Sequence, residues 1–510
     1  MIRPGGRFEI ATNAGAVVTQ TSDARSRRVA QLPAGTIVVV AQVTEAGRVR
    51  LSSPGGWTET SNLGAEVPAI PRKVGRRAFM ERHLDLAPGE FYGLEFPFSL
   101  EGIGSFGPEF LTKAFHAAGT ISKDNRVVGI RSLEPCEGGA ASEKAYLTVD
   151  YARAEPGLAN ELFVKMSVGD PERKYFLAST VRDEVALGRL SAECDFPIEV
   201  PKFYFGDYSD RTSNYLLVTD RVGFGEGPIA PVCEKGLDHQ LPDAHERYLV
   251  LTRSLARLVA AHKTGALGLD FEASFPFLLG TRATKSIPSA AEKLDRIVSF
   301  VRDTAPQLFP KAVVDPVVLE AFQTDVLFAL EHMDELVDAV RADVDYTGFC
   351  HPNLNLDNAW FWRDADDRLH AGLLDWGSTG QMSLGQALVG MLMFPEPDTY
   401  PQLLDDVIDA FVEELAKSGG PELRPEVLRR HYKVAQFNWS LPTILEIVVD
   451  TLDRFSVDEY ASMADAFDPR LEETGLRAGI VWLAVVLLDW AGGETPGEGL
   501  RALFAVRRST

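Results

Sequence analysis

The 510-residue sequence predicts an α+β protein built as a small all-β unit, then a β-rich lobe, then a long helical lobe. Three observations carry that expectation. From Phe8 to Ala65 β-branched and polar residues alternate between Pro-Ala-Gly and Pro-Gly-Gly turns, which is the period and punctuation of short strands. From about Val127 to Val222 short apolar runs such as ELFVKM and NYLLVTD follow one another. Beyond Pro242 apolar residues recur at helical spacing through most of the chain.

A chain of this length is expected to hold about two to four domains, and 45% hydrophobic content supplies enough apolar surface for packed cores. The 51 Lys and Arg residues against 73 Asp and Glu leave a net charge of -22. That balance argues against binding to nucleic acid or anionic membranes and favours a cationic substrate; the plainer reading is that it keeps a large protein soluble. Cys136, Cys194, Cys233 and Cys350 are widely spaced and form no CxxC pair, so neither a disulfide scaffold nor a zinc site is expected. The start, MIRPGGRFEIATN, has no apolar signal core, which predicts a cytoplasmic location. Ala478 to Trp490 follows Arg477 and carries Asp489. It is too short to span a bilayer and predicts a buried helix.

In chain order, residues 8–65 form the all-β unit. Its L-P-A-G-T-x-V-x-V run and its R-V-R-L-S-S-P-x-G-W segment resemble the bacterial-type SH3-like fold, which implies a module that docks on a protein partner or braces the body. Arg48, Trp57 and Thr58 are its candidate ligand patch, with Trp57 as a core anchor the alternative. Residues 66–107 read as a linker whose basic run, Arg72 to Arg77, lacks the interleaved aromatics of nucleic-acid binders. The β-rich lobe is 108–222. It opens with the amphipathic FGPEFLTKAFHAAG and continues with two strands around a glycine turn, where the N–H groups of Gly138 and Gly139 and the hydroxyl of Ser142 are candidates to lie over phosphates. No GKS or GKT follows, so this is not a P-loop.

Lys165 sits inside the apolar run ELFVKM, where an ammonium is costly unless it meets an anion. The helical stretch VRDEVALGRLSAE supplies Glu184, with Asp183 as the second choice. The helical lobe is 223–510, with its first long helix from Pro242 to Ala266 and further helices at 288–305, 313–341, 383–394, 400–418, 425–448, 456–464 and 472–490. Phe437, Asn438, Trp439, Trp482 and Trp490 are candidates to wall an acceptor pocket, and Asp450 and Asp453 to offer it charge, although such aromatics are more often core and an acidic pair after a helix more often lies in a solvated loop.

The most informative stretch is Tyr346 to Gly380. Its apolar runs, Asn358 to Trp362 and Leu369 to Leu374, flank a charged turn and read as a hairpin with Asn358 before one strand and Asp375 after the other. Magnesium takes hard oxygen ligands, keeps several waters, and needs only one or two protein oxygens beside a nucleotide's phosphates.

His351-Pro352-Asn353-Leu354-Asn355-Leu356-Asp357-Asn358 followed by Asp375-Trp376-Gly377 resembles the paired motifs, H-G-D-L-H-x-x-N and D-W/F-x, of the aminoglycoside phosphotransferase, choline kinase and ecdysteroid-kinase-like superfamily. The resemblance implies a bilobal protein-kinase-like fold that uses ATP and Mg2+ to phosphorylate a small-molecule hydroxyl. It implies Asn358 and Asp375 as metal ligands, Lys165 on the nucleotide phosphates with Glu184 holding it, and an adenine site along Thr219, Asp220, Arg221 and Val222. Asn353 stands where the family has its catalytic Asp, and Asn355 where it usually has His or a basic residue near the transferred phosphate. An amide is a poor base, and general-base catalysis contributes roughly 10²–10⁴ in rate. His351 and Asp357 are the neighbouring substitutes, and a pseudokinase scaffold is the alternative to an active phosphotransferase.

Overall fold

The computed structural model describes residues 7–12, 16–32, 34, 36–44, 46–51, 56–66, 75–136, 142–268, 271–275 and 287–508. The chain divides into two compact units, one made of Met1–Val67, Pro231–Ala371 and Gly380–Thr510, the other of Pro68–Ala230 and Gly372–Thr379.

The first unit begins with a seven-stranded sheet in which the described strand pairs are antiparallel. Its strands are β1 (Arg7–Ile10), β2 (Ala16–Thr19), β3 (Arg28–Leu32), β4 (Ile37–Val43), β5 (Arg48–Leu51), β6 (Gly56–Glu59) and β7 (Leu63–Glu66), in the order β3-β2-β6-β5-β4-β1-β7. Alternate residues point inward, so Phe8, Ile10, Val18, Val38, Val40, Val49 and Leu51 make one small core. Of the candidate ligand patch, Arg48 and Thr58 are buried and Trp57 is half-buried. Arg48 is buried, its guanidinium donating to Glu59 (2.6 Å), Thr19 Oγ1 (2.6 Å) and the Trp57 carbonyl (3.2 Å), and Thr58 is fully buried. A buried cation is stabilised by internal acceptors, so the Arg48 guanidinium turns inward.

The second unit is a five-stranded antiparallel sheet between two helices. After α1 (Arg76–Arg82), α2 (Leu100–Ala118) starts on Ser99, whose hydroxyl accepts from Gly102 N, and breaks at Gly107, where φ is 65° just before Pro108. The strands are β8 (Val127–Pro135), β9 (Glu143–Tyr151), β10 (Glu161–Met166), β11 (Phe203–Tyr208) and β12 (Tyr215–Asp220), in the order β11-β12-β10-β9-β8. Helix α3 (Pro171–Glu193) lies between β10 and β11 in sequence and is capped by Asp170, which accepts from Arg173 N at 2.7 Å. Leu216 and Val218 face the α2 side with Phe110 and Phe115, while Tyr215 and Leu217 face Val181 and Val185 of α3. The period of two thus buries both faces of the sheet.

The remainder of the first unit is mostly helical. α4 (Ala244–Thr264) ends at Gly265 with φ 79°. The helix expected over 313–341 is two, Pro316–Glu331 and Met333–Ala342, parted at His332. The one expected over 425–448 begins as α-helix over Pro425–Ala435 and continues through π-helical turns at Gln436–Ser440 and Ile444–Val448, with an α-helical turn at Leu441–Thr443 between them. Asn438 is buried, and Phe437 and Trp490 belong to the helical core, their rings edge to face at 5.8 Å. Asp325 ties the last helix, Pro496–Arg508, which periodicity did not predict, by accepting from Arg501 (2.7 Å) and Trp490 Nε1 (3.1 Å). Among the described residues no helix is long and apolar enough to cross a membrane.

Candidate functional site

In the second unit Lys165 lies on β10 with its ammonium between two carboxylates, 2.5 Å from Glu184 Oε1 of α3 and 2.7 Å from Asp375 Oδ1. Lys165 and Glu184 are 5% and 7% exposed. Burial opposes the charge on Lys165, but Glu184 and Asp375 outweigh it and raise its pKa above the ordinary lysine value. Glu184, not Asp183, is the partner.

The segment carrying Asp375 is held against α3 and β11's entry. Leu373 N donates to Glu199 O (2.9 Å), Ser378 Oγ and Thr180 Oγ1 are 2.9 Å apart, and Trp376 Nε1 donates to Leu373 O (3.2 Å). Gly377 is required there, since a Cβ would lie 2.7 Å from Thr180 Cγ2. Asp375 itself has φ 56°, an uncommon conformation for a residue other than glycine, and its side chain is 48% exposed. A half-exposed carboxylate beside a buried ammonium suits a hard cation and phosphate oxygens.

Sequence reasoning missed one cation. Lys144 on β9 is directly opposite Lys165 in the ladder, so both side chains leave the same face of the sheet. Burial and the neighbouring Lys165 lower its pKa, and it makes no ion pair among the described residues. In EKAYLTVDY Lys144 shares parity with Tyr146 and Thr148, on the face opposite the buried Ala145, Leu147 and Val149. Ser142, at the start of that strand, acts on the buried Tyr215 phenol, which in turn faces Lys165 and Glu184. Gly138 and Gly139 lie outside the described residues.

At the end of β12 Thr219 Oγ1 donates to Asp220 O (3.1 Å), while Asp220 N and Arg221 N are taken by Lys202 O and Glu161 O. Neither of those two N–H groups is therefore available to a base. Val222 follows, half-buried. Burial raises the Asp220 carboxyl.

In the first unit β13 (Thr347–Cys350) pairs with β16 (Gly380–Ser383) and delivers the loop that begins at His351; β14 (Ala359–Arg363) and β15 (Leu369–Leu373) form the hairpin after it. His351 is fully buried and accepts from Asn353 N through Nδ1 (3.1 Å). Asn355 Nδ2 donates to Asn353 Oδ1 (2.6 Å), and Asn358 Nδ2 donates to Asn353 O (2.7 Å), a bond that does not engage the Asn358 amide oxygen. Asn355 Oδ1 is buried and accepts no hydrogen bond among the described residues. Asp357 pairs with Lys235 at 3.1 Å. His262, on α4, accepts from Phe349 N (3.3 Å) and packs on Phe271 behind this strand. No cluster of three or more His, Cys, Asp or Glu with metal-holding geometry occurs among the described residues.

An antiparallel sheet with a strand lysine paired to a helix glutamate, followed by a helical region with its own loop and hairpin, is the protein-kinase-like α+β fold. Its motifs resemble those of the aminoglycoside phosphotransferase and choline kinase superfamily. Among solved structures the chain is similar to a choline kinase from Cryptosporidium parvum Iowa II, at 10% identity and TM-score 0.36 over 69% of this chain and 93% of that one. It is similar also to a microcompartment-associated aminopropanol kinase (14%, TM-score 0.35, 72% and 99%) and to the GDP complex of aminoglycoside 2'-phosphotransferase-IIIa (13%, TM-score 0.33, 70% and 94%). No protein-family model and no curated protein matches it.

Proposed function

We propose that the chain is an ATP-binding, magnesium-dependent phosphotransferase that acts on the hydroxyl of a small molecule in the cytoplasm. The observation that carries this is the buried Lys165 ammonium shared by Glu184 and Asp375. A lysine in an apolar strand is retained at a cost unless an anion needs it. With nucleotide bound, Lys165 would hold phosphate oxygens while Glu184 keeps its ammonium in place, and Lys144 adds a second charge on the same face. Asp375 and Asn358 are proposed as the magnesium ligands from the motif resemblance, a carboxylate and an amide oxygen being hard donors of the kind that magnesium takes. Bound magnesium would neutralise developing charge on the transferred phosphoryl group. Gly138, Gly139 and Ser142 are proposed to cover the phosphates, and Thr219, Asp220 and Val222 to border the adenine. Four free cysteines accord with a reducing compartment.

The test is calorimetric titration of ATP with and without Mg2+, followed by a transfer screen over small alcohols. Magnesium-dependent binding with turnover is expected. Binding that Asp375→Ala leaves unchanged would remove the metal assignment.

The Asn353–Asn355 amide pair favours a second reading, a nucleotide-binding scaffold without turnover whose SH3-like unit meets a protein partner. Asn353 Oδ1 is already occupied by Asn355 Nδ2, and neither amide takes a proton. His351 is buried and Asp357 is paired, so neither supplies an evident base. Asn353→Asp distinguishes the readings: a rise in transfer of roughly 10²-fold or more marks a competent frame lacking only its base, and continued inactivity marks the scaffold.

A further inference from the structure

Close to the loop of His351 to Asn358 the first unit carries an apolar cavity of about 220 Å³. The loop and the cavity are joined through single side chains. Asn355 Nδ2 lies 3.8 Å from Met393 Sδ, and the next residue, Phe394, is a wall of the cavity. Lys235, paired with Asp357 of the loop, holds its ammonium 5.8 Å above the same Phe394 ring.

The walls are apolar by construction. Phe394 and Trp482 meet edge to face at 6.3 Å, and Val448 and Leu476 also line it. Ile447, in the lining at the mouth, is 59% exposed. Both Ile447 and Val448 come from the π-helical turn Ile444–Val448, a rare geometry that concentrates at functional sites.

The polar content of the lining is small and mostly used. Thr451 Oγ1 donates to Val448 O (2.6 Å) and Thr474 Oγ1 to Arg470 O (2.7 Å). One charged residue remains, Arg454, exposed at the rim and without an ion pair among the described residues. The two acidic groups nearest it in sequence, Asp450 and Asp453, are held by Arg296 at 3.5 and 2.7 Å, so their charge is answered and not offered to a ligand.

From the apolar walls beside the loop and the single unpaired guanidinium at the rim, we infer that this cavity takes the apolar body of a small anionic molecule whose acid group meets Arg454. Resting on the phosphotransferase reading, that molecule is the acceptor alcohol, and its charge is opposite to the one the acidic composition favours. Apolar burial supplies affinity, and Arg454 selects the sign of the charge.

The full chain should be titrated calorimetrically with three probes that share an aryl body: 3-phenylpropanoate, 3-phenylpropan-1-ol and 3-phenylpropylamine. The propanoate is expected to bind about fivefold more tightly than the alcohol, as a half-exposed ion pair allows, and the amine most weakly. Arg454→Ala should abolish the preference for the propanoate and leave the alcohol unchanged. Ile447→Asp, which puts an anion at the mouth, should weaken the propanoate roughly tenfold or more. The inference is overturned if no probe binds, if the amine binds as well as the propanoate, or if Arg454→Ala leaves the propanoate affinity intact. Titration of the same samples with Mg2+ and ATP separates the two claims. Nucleotide binding without the propanoate preference removes the cavity assignment alone, whereas the preference without nucleotide binding removes the phosphotransferase reading alone.

Discussion

Lys144 and Lys165 face each other across one rung of a sheet, an arrangement that like charges disfavour unless anions stand between them. Glu184 and Asp375 answer Lys165. Lys144 has only their longer-range field. Lys144→Met should therefore lower ATP affinity about tenfold, the worth of one charged hydrogen bond, while adenosine binding stays level; equal loss for both ligands would make Lys144 structural. Lys165→Met carries a larger structural penalty, since it strands the buried Glu184. Removing one partner of a buried pair costs about 3–5 kcal/mol, and a urea titration should find that loss largely reversed in Lys165→Met with Glu184→Leu. A different buried acid contributes to the pH dependence of stability. Asp489 accepts from Tyr400 (2.8 Å) and Gln436 (2.6 Å), and burial raises its pKa from 3.8 to about 6. The folded state then holds this proton more tightly than the unfolded state. Its contribution is most favourable below pH 3.8 and is lost as pH climbs to about 6, by about 3 kcal/mol in all. Thermal melts between pH 4 and 7 should show a smaller decline for Asp489→Asn than for the parent chain.

At the scale of elements, two glycines in the helix Leu384–Met391 explain how a short apolar segment supports the loop. A Cβ on Gly390 would lie 1.9 Å from Pro352 O, and one on Gly385 would lie 2.2 Å from His431 O. Both contacts are to backbone, which cannot swing aside. Gly390→Ala should cost about 1–3 kcal/mol through overpacking and also disturb the loop, so that any transfer activity falls further than stability explains. Gly385→Ala should cost a similar amount with activity per folded molecule unchanged. The same elements mark where sequence patterns stop being informative. Periodicity located the helical run after Pro425, but a π-helical turn keeps nearly the same apolar spacing as an α-helix, and only the packing of Phe437 and Ile444 into the core reveals it. Helix Pro496–Arg508 was invisible for a related reason: its length is modest, and what holds it is Asp325, far away in sequence.

On the scale of the whole molecule, the N-terminal sheet shares a compact unit with the helical region and is joined to it by Arg50 and Asp345 at 2.8 Å. Their side chains are 29% and 41% exposed, so solvent screens the pair, and Arg50→Ala should lower stability by no more than about 1 kcal/mol in a denaturant titration. Residue type alone does not tell an outward arginine from an inward one, and Arg48 of the candidate patch is buried; its partners are Thr19, Trp57 and Glu59, brought together by strand order β2-β6-β5.

The amino-acid sequence by itself determined the alternation that makes strands, the helical spacing that makes the second half, and the loop motif from His351 to Asn358, because these depend on neighbours a few positions apart. It also marked Lys165 as anomalous, since a charge in an apolar strand conflicts with its surroundings whatever the fold. Tertiary structure alone decided which carboxylates answer that charge and which lysine stands beside it. Lys165 and Asp375 are 210 positions apart, and an electrostatic interaction between them exists only when the sheet and the Asp-Trp-Gly segment pack on the same helix.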